Sequence, residues 1–78
     1  MDSGSVVNTL TNNHAANNIN YGFALYASTD NNTVTSNRAT QNVEGYFLSS
    51  SLNNSFTSNT ASNNTNSGFL ISTSSNNT

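Results

Sequence analysis

The chain has 78 residues, with one arginine, no lysine, three acidic residues and a formal net charge of −2. So few basic residues exclude a surface that follows nucleic-acid phosphates and an electrostatic contact with anionic lipid, and no apolar run is long enough for membrane insertion. The absence of cysteine excludes disulfides and thiolate metal sites.

Composition alone predicts disorder, because Asn, Ser and Thr supply 43 of the 78 residues and leave little apolar surface to offset chain entropy. Two features oppose that prediction. The apolar residues recur in register along the chain, and only 5% of the residues are charged, unlike most disordered polypeptides. An ordered, polar-rich repeat protein is the better interpretation.

One segment occurs three times along the chain, at intervals of about 23 residues. The copies begin at Asn8, Asn32 and Asn54 and read NTLTNNHAANNINYGFAL, NTVTSNRATQNVEGYFL and NSFTSNTASNNTNSGFLI. A fixed period of this length is typical of a solenoid, in which each repeat forms one coil that buries its apolar side only against its neighbours. We therefore predict one solenoid domain over residues 1–78, with coils of 22–24 residues at about 8–31, 32–53 and 54–76.

Each copy contains three short predicted strands, which in the first copy lie around Leu10, around Ala15 and over residues 23–25. The two-residue spacing of the apolar side chains in the third strand is that of a strand with one buried face. Strands of successive coils are expected to pair in parallel, about 4.8 Å apart, with right-handed connections. The predicted fold class is all-β, a right-handed parallel β-helix of about three coils with no evident caps. Its interior columns are Leu10/Val34/Phe56, Ala15/Ala39/Ala61, Phe23/Tyr46/Phe69 and Leu25/Leu48/Ile71.

Asparagine is predicted to form the corners between the strands. Its columns at the strand ends are Asn8/Asn32/Asn54/Asn77, Asn13/Asn37/Asn59 and Asn18/Asn42/Asn64. Asparagine tolerates the left-handed backbone region, and stacked amides bond to one another as an asparagine ladder in cross-β structures. Gly22, Gly45 and Gly68 precede the aromatic column, where glycine supplies either a positive φ or a close approach between coils.

These repeats resemble a known family. The segment NNTVTSN, followed by an alanine, then by G-[YF]-x-L-x-x-S and a further NN-[ST], is similar to the parallel β-helix repeats of NosD-like, carbohydrate-binding-and-hydrolase solenoids. It is especially similar to the Asn/Ser/Thr-rich repeats of surface proteins in methanogenic archaea. The resemblance covers about residues 5–78 and implies an exported or cell-surface solenoid. It implies no catalytic residue, since no active-site motif of the family is present and such repeats occur in lyases, hydrolases, scaffolds and adhesins alike.

The titratable side chains predict no catalytic, metal or cofactor site, and we expect no enzyme activity. Asp2, Asp30 and Glu44 fall at different coil positions, whereas sugar-cleaving sites need clustered carboxylates or carboxylates that hold calcium. Asp30 is interpreted as a turn residue rather than a calcium ligand, and Glu44 as solvated. His14 has no second histidine or cysteine with which to share a metal. We expect it to be an exposed corner residue at the coil position of Arg38.

Four N-x-[ST] sequons are candidate N-glycosylation sites, at Asn31, Asn53, Asn63 and Asn76. Three of them recur at one corner and would place glycans in a line along the solenoid. The number of sequons does not exceed what chance gives at this Asn, Ser and Thr content. Glycosylation is therefore a hypothesis that depends on an exported context.

One surface column is predicted to be apolar. The residues that alternate with the inward positions of the third strand are Ala24, Phe47 and Leu70, with Tyr26 nearby on the first coil. Contiguous exposed apolar residues often mark an assembly or ligand contact. Two alternatives stay open, namely that further chain covers the column or that the strand phase is reversed. Tyr26 with Phe47 is the only candidate aromatic platform for a glycan.

The two ends of the predicted solenoid carry no helix, proline or charge run to block the strand edges. Residues 3–9 align with residues 72–78 at an offset of 69, three coils. Either the chain is a piece of a longer solenoid, or copies stack head to tail, which a phase-matched start and stop favours. We therefore predict a non-catalytic structural module, extracellular or on the cell surface, whose partner is itself in a head-to-tail homo-oligomer or filament. The alternative is a carbohydrate-binding segment cut from a larger cell-surface β-helix protein, with glycans as partners.

Overall fold

The computed structural model describes all 78 residues and contains nine β-strands and no helix. The strands are β1 (Thr9–Thr11), β2 (His14–Ala16), β3 (Tyr21–Tyr26), β4 (Thr33–Thr35), β5 (Arg38–Thr40), β6 (Glu44–Ser49), β7 (Ser55–Thr57), β8 (Thr60–Ser62) and β9 (Ser67–Ser72). Threonine, aliphatic and aromatic residues suit these strands, and the asparagine-rich pairs between them favour turns. We call β1–β3 coil 1, β4–β6 coil 2 and β7–β9 coil 3.

Strands from successive coils pair in parallel and form three sheets, ordered β1-β4-β7, β2-β5-β8 and β3-β6-β9. The register joins equivalent residues of the repeat, as in Leu10↔Val34 and Ala15↔Ala39. An isolated parallel bridge joins Leu52 to Ser75 beyond the third sheet. The predicted parallel β-helix of about three coils, with three short strands in each, is confirmed.

The core lies inside coil 2 and extends to the residues of coils 1 and 3 that pack against it. The buried apolar residues are Leu25, Val34, Ala39, Tyr46 and Leu48, and those packed against them are Met1, Phe23, Phe56 and Ala61. The ring of Tyr46 stacks between Phe23 and Phe69, with ring centroids 5.1 and 4.6 Å away. All of these residues except Met1 belong to the predicted interior columns, so the inward phase of the strands is confirmed.

The corners turn through left-handed residues that stand one position before the asparagine columns. These residues have φ between 55° and 60°, as at Asn31, Asn53 and Asn63. The prediction that the column asparagines themselves adopt this conformation is wrong. Their side chains point into the coil instead, and the four in its middle are almost fully buried: Asn32, Asn37, Asn42 and Asn54.

The buried asparagine amides hydrogen bond along the solenoid axis. The Oδ1 atom of Asn42 accepts from the backbone nitrogen of Asn18 at 3.0 Å and from its Nδ2 at 2.8 Å. The backbone nitrogen of Asn42 donates to Asn64 Oδ1 at 2.9 Å, and its Nδ2 donates to the Ala15 carbonyl at 3.1 Å. The desolvation cost of burying this polar side chain is therefore offset by bonds in both directions.

Gly22 and Gly45 bring neighbouring coils close together. A Cβ at Gly22 would lie 2.7 Å from the carbonyl oxygen of Gly45, and a Cβ at Gly45 would lie 2.6 Å from that of Gly68. None of these three glycines has a positive φ. Of the two roles left open by the sequence, close approach between coils is the correct one.

Residues 1–8 continue the path of the solenoid at its N-terminal end, before coil 1. The backbone nitrogen of Tyr26 donates to the Met1 carbonyl, and that of Gly4 to the Ala27 carbonyl, both at 3.2 Å. Met1 therefore stands in the column of Leu25 and covers part of the edge of β3. At the other end, Asn54 donates its backbone nitrogen to Asn77 Oδ1 at 2.8 Å, so the asparagine column continues beyond coil 3.

Candidate functional site

Coil 3 leaves one end of the core open, and we call this surface the C-terminal face. Phe69 and Ile71 are 46% and 55% exposed, whereas their equivalents in coil 2, Tyr46 and Leu48, are buried. A cavity of about 240 Å³ opens there, lined by Leu48, Phe56, Phe69, Ile71, Asn77 and Thr78. The face is thus an apolar end of the core, and exposed apolar surface of this kind marks contact sites.

The C-terminal face also carries hydrogen-bond donors in defined places. In coil 2, the backbone nitrogens of Asn37 and Asn42 each donate to an asparagine Oδ1 of the following coil at 2.9 Å. The equivalent nitrogens of Asn59 and Asn64 have no acceptor within the chain. Both donors stand at the corners around the apolar patch.

The opposite surface, which we call the N-terminal face, carries the matching acceptors. Asn13 and Asn18 donate to coil 2, while their own Oδ1 atoms accept no hydrogen bond within the chain. The apolar columns reach this face at Leu10, Ala15 and Phe23, all partly buried. Donors on one end and acceptors on the other give the solenoid a direction.

A groove of about 720 Å³ runs along the outer side of β3 and β6. Three of the four residues predicted for the outer apolar column, Ala24, Tyr26 and Phe47, line it. Leu70 continues the column on coil 3, because the register joins Ala24, Phe47 and Leu70. What binds along this column is untested and stays a prediction.

Tyr21 belongs to the same groove, and sequence reasoning missed it. Its ring stacks on Phe47 with the centroids 4.5 Å apart and the planes 10° from parallel. Strict alternation from Phe23 assigns Tyr21 to the interior. Gly22 breaks that alternation, because a Cβ added at Gly22 would point inward toward Ala39. The glycine itself was the signal that the strand phase changes there.

Glu44 is buried rather than solvated, so that prediction is wrong. It lies on the middle coil between Tyr21 and Ser67 in the register and is 7% exposed. Its Oε1 accepts from Asn66 Nδ2 at 3.2 Å, while Oε2 is buried without a hydrogen-bond partner. Neighbours on both sides cover a side chain that would be exposed on an end coil.

Asp30 and His14 each have a local structural contact. Asp30 Oδ1 accepts from the backbone nitrogen of Leu52 at 2.7 Å, which fits its interpretation as a turn residue. His14 is exposed as expected, although it begins β2 rather than occupying a corner. Its register partner is Arg38, and its Nε2 lies 2.8 Å from Thr40 Oγ1. No group of three or more His, Cys, Asp or Glu residues comes together to hold a metal ion.

The four sequon asparagines, Asn31, Asn53, Asn63 and Asn76, are all exposed. Each has a left-handed backbone, with φ of 55–57°. Three of them stand at one corner, directly before the asparagines whose amides bond along the axis. Their glycosylation stays a prediction.

The chain has no helix of the length and apolar character needed to cross a membrane. Comparison with protein families matches residues 1–78 to the model described as a right handed beta helix region. No curated protein and no solved structure is significantly similar to the chain.

Proposed function

The chain belongs to the right-handed β-helix family over its whole length, and from that premise we propose that it is a non-catalytic structural module whose copies stack head to tail into a filament. One observation carries the proposal. The C-terminal face offers two backbone donors and an open apolar core, and the N-terminal face offers two amide acceptors and the start of the same apolar columns. The two faces are complementary to each other and not to themselves.

We call the contact between two stacked copies a joint. The contacts between coils 1, 2 and 3 show which interactions a joint requires. Seven times within the chain, an asparagine Oδ1 accepts a hydrogen bond from the backbone nitrogen of the asparagine one coil before it. If Asn13 and Asn18 of a second copy lie over Asn59 and Asn64, the same bonds form between copies. Phe56, Phe69 and Ile71 then lose their contact with water, a favourable change of about 25 cal/mol for each Å² of apolar surface buried.

Head-to-tail contact between unlike faces does not close on itself. Each added copy presents a fresh C-terminal face, and growth continues along the solenoid axis as an open filament. Three coils form a small core for a protein without disulfides or metal. Stacking would supply the apolar contacts that coils 1 and 3 lack on one side.

An extracellular or cell-surface location is part of the proposal. Its support is the resemblance of the repeats to those of Asn/Ser/Thr-rich surface proteins, together with four exposed asparagines in glycosylation sequons. The absence of a catalytic role is likewise proposed, on the ground that the three carboxylates form no cluster and that those of Asp30 and Glu44 make local hydrogen bonds.

The test is negative-stain electron microscopy of the chain across a dilution series, with circular dichroism on the same samples. We expect filaments with a β signal for the native chain. Ile71→Asp should keep the β signal and lose the filaments, because Ile71 lies on the C-terminal face. Leu70→Asp is the matched control, because Leu70 is the neighbour of Ile71 in β9 and points outward, beside the contact between copies. Dispersed native chains that keep the β signal at every concentration, or filaments of Ile71→Asp, would overturn the proposal.

The groove on the outer side of β3 and β6 favours a second candidate function, carbohydrate binding. Tyr21 stacked on Phe47 and the half-exposed ring of Tyr26 present aromatic faces, and Asn18 and Asn20 line the same groove. Apolar rings beside amide groups match the mixed character of a sugar, and pockets of this size hold small ligands. Here the binding surface is the side of the solenoid, and it meets the N-terminal face at Asn18.

Carbohydrate binding can be tested by titrating the chain with neutral cello- and malto-oligosaccharides while tyrosine fluorescence is recorded. Binding that is lost in Tyr26→Ala and kept in Tyr26→Phe would support this candidate. An unchanged signal at millimolar sugar, with the chain folded, would exclude it for these ligands and leave the stacking proposal unaffected.

A further inference from the structure

Direct stacking of two copies brings two segments of chain to the same place. Met1 stands in the column of Leu25, Leu48 and Ile71, and Asn8 stands in the column that ends at Asn77. Residues 1–8 and residues 71–77 therefore hold the same coil positions at opposite ends of the solenoid. When Asn13 of a second copy lies over Asn59, residues 1–8 of that copy coincide with residues 71–77 of the first. One of the two segments must leave.

The C-terminal segment, residues 71–77, is bound to groups that are buried. The backbone nitrogen of Ser51 donates to Ser74 Oγ at 3.1 Å, and that of Asn54 to Asn77 Oδ1 at 2.8 Å. Asn77 Nδ2 returns a bond to the Ser51 carbonyl at 3.1 Å. Ser51 and Asn54 are almost fully buried, so releasing this segment means breaking hydrogen bonds to interior groups of its own chain, which is costly.

The N-terminal segment, residues 1–8, bonds to a single buried residue and contains a strained one. Met1 and Gly4 bond to β3 and the corner after it. The buried residue is Asn32, whose Nδ2 donates to the Ser5 carbonyl at 2.9 Å and whose Oδ1 accepts from the backbone nitrogen of Asn8 at 2.7 Å. The Asn8 carbonyl also accepts from the backbone nitrogen of Thr33 at 2.8 Å. Val7 has a left-handed φ of 57°, where the three equivalent residues of the other coils are asparagine. A β-branched residue is strained in this region, and Val7 also leaves 78% of its surface exposed.

We infer that residues 1–8 form an exchangeable strand. In the lone chain they cover the end of β3 and the corner after it, and in the stack residues 71–77 of the neighbouring copy replace them. Ile71 of that neighbour then fills the position of Met1 beside Leu25, and its Asn76 replaces the strained Val7. The inference rests on the proposed stacking function and identifies what controls it: each joint forms only when a weakly held segment of the incoming copy is released.

The experiment measures the rate of filament growth by light scattering after addition of preformed seeds. A chain without residues 1–7 should grow about tenfold faster than the native chain, because association is slowed when a conformational change must come first and here no segment has to leave. Val7→Asn should grow about fivefold more slowly, because asparagine relieves the strain and holds the segment in place. Val6→Asn is the matched control, because Val6 is also an exposed valine but has no positive φ, and it should grow at the native rate.

Each outcome has a separate meaning. Faster growth of the shortened chain together with slower growth of Val7→Asn supports the exchange. Equal rates for the native chain and Val7→Asn, with filaments present in both, overturn the exchange and leave the stacking function standing. Absence of filaments in every variant, each shown to be folded by circular dichroism, overturns the stacking function and the exchange with it. Val7→Asn keeps the test valid if the shortened chain fails to fold.

Discussion

The side-chain oxygen of Asn37 accepts two hydrogen bonds from Asn13, one from the backbone nitrogen at 2.8 Å and one from Nδ2 at 3.0 Å. In turn, Asn37 donates from its own Nδ2 to the Leu10 carbonyl at 2.9 Å and to Asn59 Oδ1 at 3.2 Å. One fully buried amide therefore connects all three coils at this corner. Such a connection needs an acceptor and a donor on the same short side chain, which the amide of asparagine provides.

Asn37→Asp should destabilise the fold although the two side chains have nearly the same shape. The carboxylate has no hydrogens to donate, and it would place a buried charge against the Leu10 carbonyl and Asn59 Oδ1. We expect a loss of about 3 kcal/mol or more in the free energy of unfolding, measured by urea titration. Asn12→Asp is the control, because Asn12 is exposed and the substitution makes the same chemical change in contact with water. Equal losses in the two variants would contradict the role given to the buried amide.

Gly45→Ala should be far more damaging than Gly68→Ala. The new methyl group at Gly45 would meet the Gly68 carbonyl oxygen at 2.6 Å and Ala61 Cβ at 3.0 Å, whereas at Gly68 the nearest atom is Ala61 Cβ at 3.3 Å. Coil 2 cannot move away from a backbone oxygen without breaking the sheet. We expect a loss of about 3 kcal/mol for Gly45→Ala and under about 1 kcal/mol for Gly68→Ala, from thermal and urea unfolding. Similar values for both would show that the coils separate easily.

The period of the repeat was sufficient to predict the fold and the interior columns. Leu10, Val34 and Phe56 differ in shape, yet each recurs at the same place in its copy, and parallel pairing joins them in register. Strand alternation then assigns the inward side. A solenoid is unusually predictable in this respect, because each coil repeats the environment of its neighbour.

Two features could not be predicted from the sequence, the burial of Glu44 and the outward orientation of Tyr21. Glu44 is buried because it lies on the middle coil, and the type of a residue does not indicate whether neighbouring coils cover it. Tyr21 turns outward because Gly22 interrupts the alternation. The alignment of residues 3–9 with residues 72–78 already predicts where most of the first segment lies. That Met1 pairs with β3 follows only from its backbone hydrogen bonds.

Glu44→Gln should stabilise the chain. The substitution keeps an oxygen for Asn66 Nδ2 and replaces the unpartnered, buried carboxylate oxygen with a neutral amide group. A neutral amide is less costly to bury than a charge, and we expect a gain of about 1 kcal/mol in the free energy of unfolding at neutral pH. Asp2→Asn removes the same charge from an exposed position and should change little. A loss of stability in Glu44→Gln would indicate that the carboxylate has a partner in solution.

Leu48→Asp should abolish folding and assembly together. Leu48 is 1% exposed and lies between Leu25 and Ile71 in the register, so an aspartate there would be a charge inside the apolar column. Circular dichroism should lose the β signal, and electron microscopy should show no filaments. Leu70→Asp, with an exposed leucine, should keep the β signal. Retained assembly of Leu48→Asp would show that the inward face of β6 is misassigned.

The stability of the chain should depend on Tyr46 at alkaline pH. Burial raises the pKa of Tyr46 from 10.0 to about 12, and its hydroxyl donates to the Thr60 carbonyl at 3.3 Å. The folded chain therefore holds this proton more tightly than the unfolded chain. The resulting contribution to stability is complete below pH 10 and is lost as the pH rises toward about 12, by about 2 kcal/mol in all. Urea titrations between pH 8 and about pH 12 should show this loss in the native chain and in Tyr26→Phe, whereas Tyr46→Phe should lack it. Parallel curves for Tyr46→Phe and the native chain would mean that deprotonation of this phenol does not drive the alkaline loss.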